Sequence, residues 1–579
     1  VESFIFSYPS SLFLFILART HQQQKVNNVD KLWLEQYQDG VPDTIDTHVY
    51  SSLVALFNEV CEEYRNNTAY LSFGHKLSYA KLEALSRAFS AYLQSLNLSQ
   101  GARVAIMLPN TLQYPLALFA ILRAGYVVVN TNPLYTADEV THQMNNSGAE
   151  AIIVLANFAH TLQKALPRTP NLKHVIVTEV GDMLSPLKRT VINTVLKHIQ
   201  KQVPAYDIPQ AVTLKQALAK GKKLDFSHIN LNHENLAFIQ YTGGTTGVSK
   251  GAMLTHGNLV ANLMQASAWL KPLGISEEDI IVTALPLYHI FSLTANCLTF
   301  FKHGACNLLI TNPRDIKGFI RSIKKSGFTG LTGVNTLFSA LLHHKAFDTI
   351  DFSKVKLTLS GGMALQRSVA DDWCNRTNTY ILEAYGLTET SPAVTMNPMN
   401  LTTFNGSIGL PLPSTDIAIR DEKGKDLKQG EVGELCVKGP QVMPGYWQRA
   451  DETSLVFWPD GYLRTGDVAK VDKQGFVYLV DRKKDMILVS GFNVYPNEVE
   501  QIISLLPDVL EVGVVGVEDK HGSEMVKACI VKSNPDLTKE DVIKHCKEYL
   551  TAYKVPKIIT FYDELPKTNV GKILRRALR

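Results

Sequence analysis

The sequence predicts an α/β (mixed α+β) protein: a large N-terminal domain of layered βα sheets with a small β-rich subdomain, then a small C-terminal α+β domain. Three observations carry this. Apolar strands alternate with helical periodicity along much of the chain before Ser414. From there, short segments lie between Gly, Pro and Asp turns. After Lys484 a compact tail of helices and strands begins.

Between Ser78 and Ala156 each element has its own signal. Tyr79, Leu82, Leu85, Phe89, Tyr92 and Leu96 recur at helical spacing, and Val104 to Leu108 reads as a buried strand. A helix over Pro115 to Ala124 is stopped by Gly125, a strand covers Tyr126 to Val129, and Thr136 with Glu139 forms a capping box. Ala151 to Ala156 is the next strand. Short buried strands are expected at Ile280–Ala284, Asn307–Ile310, Thr329–Leu331 and Lys356–Ser360. Val432–Lys438 and Phe476–Val480 belong to the β-rich subdomain. The tail offers a helix over Asn497–Leu506, strands near Val512–Val517 and Cys529–Val531, and a helix capped by Thr538 and Asp541. The charged stretch Asp481–Asp485 marks the domain boundary, or a solvated turn. The expected division is an extension at 1–28, a domain at 29–483 and a second at 484–579.

Composition narrows the function classes. The 579 residues are 45% hydrophobic and 19% charged, which excludes a disordered chain. Lys+Arg minus Asp+Glu is 58 − 54 = +4, so no global charge favours nucleic acid, and none is expected as a partner. The seven cysteines are scattered without a C-x-x-C pair, as in a reducing compartment, and suggest neither disulfides nor structural zinc. The apolar run Leu12–Ala18 resembles a short signal-peptide core, but no Lys or Arg precedes it. It is expected to lie outside the fold.

The most informative stretch is Tyr241-Thr242-Gly243-Gly244-Thr245-Thr246-Gly247-Val248-Ser249-Lys250-Gly251. Glycines permit close approach, hydroxyls donate hydrogen bonds and Lys250 adds a cation, a set suited to a polyphosphate. It is not a Walker A loop, since Gly251 follows Lys250 where Ser or Thr would stand. A flexible Gly/Thr surface loop is the competing reading. Further along come Leu285–His289 (LPLYH), Ser360-Gly361-Gly362-Met363, Tyr385–Thr390 (YGLTET), Tyr462–Asp467 (YLRTGD), Asp481–Asp485 (DRKKD), Ser490–Pro496 (SGFNVYP) and Pro566–Lys572 (PKTNVGK).

In this order the motifs resemble those of the acyl-adenylate-forming superfamily, and within it the bacterial long-chain fatty-acid–CoA ligases, from about Asp30 to the C-terminus. The resemblance implies ATP-dependent activation of a fatty acid to an acyl-adenylate, then transfer to coenzyme A with release of AMP. It implies a mobile C-terminal domain turning at Lys484 between the half-reactions. Tyr241, Thr242, Gly243, Gly244, Thr245, Thr246, Gly247 and Lys250 would hold phosphates. Tyr385, Gly386, Thr388, Gly361 and Gly362 would line the adenine and acyl sites. Asp467 and Arg482 would face the ribose, and Glu389 with Thr242 would take Mg²⁺. His289 would border the carboxylate pocket, and Ser490, Gly491 and Phe492 would face coenzyme A. Lys572, which read alone is a solvated basic tail, would bridge the carboxylate and the α-phosphate. One departure is Leu488, where some relatives carry a lysine that contacts the adenylate. The chain also ends soon after the last motif, where close relatives continue.

The expected partners are therefore fatty acid, ATP and coenzyme A, in a cytoplasmic enzyme touching the cytoplasmic face of the inner membrane peripherally, with oligomeric state left open. Three rivals stand beside this reading: an aryl or medium-chain acid, an acyl-carrier acceptor, and a non-catalytic binding protein on the same fold. Between Ile280 and Lys302 no carboxylate is available to hold an α-amine, which disfavours amino acids.

Overall fold

The computed structural model describes residues 31–242, 249–489, 492–518, 524–568 and 571–579. The expectations for 1–28, Gly243, Gly244, Thr245, Thr246, Gly247, Ser490 and Gly491 lie outside the described residues. Two large sheets organise the N-terminal part. The first runs, edge to edge, Gly445–Tyr446, Gly251–Thr255, Leu236–Tyr241, Val127–Asn130, Arg103–Met107, Ala151–Leu155, His174–Thr178 and Val212–Thr213. The second runs Leu410–Pro411, Ala393–Met396, Ile381–Gly386, Leu357–Gly361, Gly330–Gly333, Ile280–Thr283, Cys306–Leu309, Thr68–Ser72 and His75–Ser78. The central strands of both are parallel, with antiparallel strands toward the edges, so helices must cover their faces, and the central strands read as continuous apolar runs.

The helices follow their local signals. Tyr79–Gln94 is capped by the Ser78 hydroxyl, which accepts from Lys81 N. Ala137–Ser147 opens on the expected capping box of Thr136 and Glu139. Gln113–Arg123 is buried on every side, packed on the first sheet beneath Tyr79–Gln94. It starts two residues before the expected Pro115, because proline is tolerated in a first helical turn, and Gly125 follows its end at φ +80°. Its last residue, Arg123, is buried but paired with Glu83 at 2.8 Å, with Ser86 Oγ 2.7 Å from the same guanidinium.

The β-rich subdomain is a four-stranded antiparallel sheet in the order Asp416–Arg420, Gly433–Lys438, Leu463–Val471 and Val477–Arg482. The C-terminal part has a three-stranded sheet of Val509–Glu518, Glu524–Lys532 and Ile558–Phe561, with helices Pro496–Ile503 and Lys539–Tyr549. One reading needs correction: the charged stretch is not simply a solvated turn. Asp481 is buried; its carboxylate accepts from Asn497 N at 2.8 Å and lies 3.3 Å from Arg575. Among the described residues no helix is long and apolar enough to cross a membrane.

Candidate active site

The phosphate-loop motif joins two antiparallel strands, Leu236–Tyr241 and Gly251–Thr255. Its ends are clamped: Thr242 N donates to Lys250 O at 2.9 Å, and the Ser249 hydroxyl donates to Thr242 O at 2.5 Å. Tyr241 is footing rather than lining at its tip, because its ring is in the core and its hydroxyl donates to Asn146 Oδ1 at 2.6 Å. Lys250 Nζ donates to Glu452 and lies 5.1 Å from the Tyr446 ring centroid. Glu452 also accepts from Arg449 at 2.5 Å. The Tyr446 hydroxyl donates to Glu389 Oε1 at 2.7 Å.

Sequence reasoning missed this second wall. Gly445 and Tyr446 pair with Met253 and Ala252, just beyond the loop, and Met443 N donates to Glu389 O. The available signal was the polar and aromatic run Tyr446-Trp447-Gln448-Arg449.

Tyr385 is the penultimate residue of the strand Ile381–Gly386, which runs parallel to Leu357–Gly361 and brings it beside Gly361 and Gly362. Its hydroxyl donates to Asp467 Oδ2 at 2.6 Å, and Arg482 Nε is 3.4 Å from Asp467 Oδ1. Asp467 and Arg482 are direct partners across adjacent strands, so sheet register holds that pair. At Gly386 an added Cβ would stand 1.9 Å from Pro392 O, and at Gly362 (φ +82°) it would stand 3.5 Å from Lys572 Cε. Thr388 and Glu389 occupy the 3-10 turn that follows. Glu383 was also missed. It is buried, two residues before Tyr385 on the same strand face, and Leu365 N donates to its Oε1 at 3.0 Å. Burial pushes its carboxyl up to about 8.

Lys572 enters this cleft from the C-terminal part. A turn holds it, with Thr568 N donating to Lys572 O at 2.7 Å and Lys572 N donating to Thr568 Oγ1 at 3.1 Å. Thr336 Oγ1 donates to Gly571 O at 3.1 Å across the junction. Burial, then the Arg482 cation, push the Lys572 ammonium down to about 8, while Asp467 opposes them. The solvated-tail reading is therefore wrong. His289 Nδ1 accepts from Phe291 N at 3.4 Å; burial, then Lys572, push it down to about 3, so the ring is neutral. Lys484 lies on the rim, its ammonium lowered by burial and Arg482. Phe492 does not line the cleft; it stacks on Tyr553 at 4.8 Å.

All these groups except Phe492 face or frame one cleft of about 2170 Å³. It is also lined by Ala266, Ala295, Thr299 and Met396, on buried elements. Cations, a carboxylate, a Tyr–Asp pair and an apolar recess together suit activation of a carboxylic acid by a nucleotide. Comparison with known proteins defines the class: the chain belongs to the AMP-binding enzyme family, whose profile matches residues 57–447, with the AMP-binding enzyme C-terminal domain at 498–572.

More narrowly, it is 52% identical over 552 residues to a long-chain-fatty-acid–CoA ligase of Yersinia pestis, covering 95% of this chain and 98% of that one. A Bacillus subtilis protein of the same name is 35% identical, covering 95% and 97%. Among solved structures, ATP-bound MatB from Rhodopseudomonas palustris is 28% identical with a TM-score of 0.75, covering 91% of this chain and 98% of that one.

Proposed function

We propose that this chain is an AMP-forming long-chain fatty-acid–CoA ligase. The observation that carries the reading is Lys572 in the cleft beside Gly362, with Arg482 and Asp467 near enough to shift its pKa. The long-chain acid is supported by the named relatives and by the small side chains Ala266, Ala295 and Thr299 along the recess.

In the first half-reaction a fatty-acid carboxylate attacks the α-phosphorus of ATP, forming acyl-adenylate and releasing pyrophosphate. Two anions must meet, and the Lys572 ammonium lowers that barrier from a partly desolvated position. Neutral His289 adds no second charge beside it. Asp467 accepts the ribose hydroxyls, with its carboxylate held by Tyr385 and Arg482. Glu383 offers a carboxyl on the Tyr385 face, suited to an exocyclic amine of the base.

Lys250 exchanges the Glu452 carboxylate for nucleotide phosphate. Glu389, half-buried and oriented by Tyr446, fits a Mg²⁺ held by one carboxylate and phosphates, with Thr242 as a second donor. Bound there, such an ion would supply charge neutralisation at the phosphates. In the second half-reaction the thiol of coenzyme A attacks the acyl carbon, AMP leaves, and the thiol proton is released. Turning at Lys484 withdraws Lys572 and turns Ser490, Gly491 and Phe492 toward the thiol donor.

The enzyme works at the cytoplasmic face of the membrane, where its acid partitions. Incubation with MgATP, coenzyme A and oleate should yield oleoyl-CoA, AMP and pyrophosphate. Turnover of benzoate but not oleate would refute the substrate class, and turnover of neither would favour a non-catalytic binding protein.

A further inference from the structure

The helix Pro186–Thr194, continued by a π turn over Val195–Ile199, carries two apolar sides. Ile192 and Leu196 pack inward on the core. Leu187, Val191 and Ile199 point out, 77%, 52% and 71% exposed. Beside them is Phe73, 48% exposed at the tip of the hairpin Thr68–Ser72/His75–Ser78 and held at φ +48°. An aromatic rarely takes that backbone region. Lys188 Nζ donates to Phe73 O at 2.8 Å, so helix and hairpin tip form one patch. Scattered exposed apolar residues need no explanation, but a grouped set does.

Charge indicates what covers it. From Pro186 to Lys201 the chain has Lys188, Arg189, Lys197 and Lys201 and no Asp or Glu. Among the described residues none of the four makes an ion pair. An outward apolar row with basic side chains at its flanks is the pattern of a helix lying in a bilayer interface, where acyl chains take the apolar row and lipid phosphates take the cations. The hairpin is the edge of one large sheet, and the helix joins the last two strands at the edge of the other. None of these residues lines the catalytic cleft.

We propose that Phe73, Leu187, Val191 and Ile199, with the four basic residues, form the surface that docks this enzyme on an anionic membrane. The proposal rests on the reading of the chain as a fatty-acid ligase that meets its substrate at a bilayer. The test is flotation of the full chain with phosphatidylcholine vesicles containing phosphatidylglycerol, beside L187E/V191E/I199E and the uncharged L187S/V191S/I199S. Both triple variants should partition at least ~10-fold less onto vesicles, with unchanged melting and unchanged turnover of detergent-dispersed oleate. K197Q/K201Q should bind less and lose much of the salt sensitivity of binding. Equal flotation of the wild type and both triple variants would overturn the assigned surface while leaving membrane binding intact. A wild type that turns over oleate but never floats would overturn the docking and leave the ligase reading standing. If the triple variants instead halve the sedimenting mass, the patch covers a second copy of the chain and the proposal is wrong.

Discussion

Arg575 offers the sharpest test of how the tail is held. Its guanidinium bonds Glu500 at 2.9 Å and Asn497 at 2.6 Å, and lies 3.3 Å from Asp481 and 3.4 Å from Asp485. Glu500 and Asp481 both have carboxyls raised by burial, with Arg575 the leading opposing influence. Arg575→Met removes the cation but keeps most of the side-chain length. Two carboxylates are then left unpaired in a desolvated place, and breaking such a cluster costs about 3–5 kcal/mol. Asp481 precedes Lys484, the proposed hinge, and Glu500 follows it, so the variant also loosens the join on which Lys572, three residues earlier, depends.

The sign of the pH dependence follows from the same groups. Folded-state pKa values raised above the unfolded ones, about 3.9 for Asp and 4.3 for Glu, mean that the folded state binds more protons. Stability is then full below those unfolded values and is lost as pH rises through the folded ones. Without Arg575 the folded values climb further, so the deficit is small near about pH 5 and larger near about pH 8. Urea denaturation followed by circular dichroism at both pH values measures it, and Arg575→Met with Glu500→Gln should recover part of the loss. A deficit under about 1 kcal/mol that is equal at the two pH values would refute the argument, since that is the range of a surface ion pair.

Other perturbations read other parts of the cleft. Tyr385→Phe removes the 2.6 Å donor to Asp467; it should raise the KM for ATP several-fold with folding unchanged, and an unaltered KM would detach the pair from nucleotide binding. Glu389→Ala should slow adenylation at least ~10²-fold, or about 2.7 kcal/mol, and near-normal pyrophosphate release at ordinary Mg²⁺ would remove Glu389 from the site. Lys484→Pro fixes φ; it should still make acyl-adenylate but transfer it poorly to coenzyme A, and equal losses in both steps would point to misfolding.

Local signals anticipated much of the fold. The capping boxes at Thr136/Glu139 and Thr538/Asp541 and the apolar strands all recur at or within a few residues of the expected positions. These depend on neighbours in sequence, which is why they were legible. The motif residues were legible as chemistry but not as geometry. Asp467 meets Arg482 through register between two strands, and nothing local in Tyr385 points its hydroxyl at Asp467.

Glu383, Arg449, Glu452 and Arg575 escaped notice because each is an ordinary charged residue until a distant partner desolvates or pairs it. Lys572 was marked by the motif resemblance and not by its own surroundings, for the same reason. A basic tail reads as solvated, and only the contact of Gly571 with Thr336 and the approach to Gly362 draw it into the cleft. The exposed row on the helix after Ser185 was invisible because its inward and outward sides are both apolar.

The central claim is that Lys572 acts on one half-reaction alone. The direct measurement is single-turnover kinetics of Lys572→Ala, supplied either with oleate and MgATP or with chemically made oleoyl-adenylate and coenzyme A. Adenylation should fall at least ~10²-fold, as for loss of one preorganised charge-stabilising group, while thioester formation from supplied adenylate proceeds at a near-normal rate. In the wild type the adenylation kcat/KM should also decline as pH rises past about 8, where the ammonium loses its proton; Lys572→Ala should lack that limb. If both half-reactions fall together, or neither changes, Lys572 does not bridge the carboxylate and the α-phosphate.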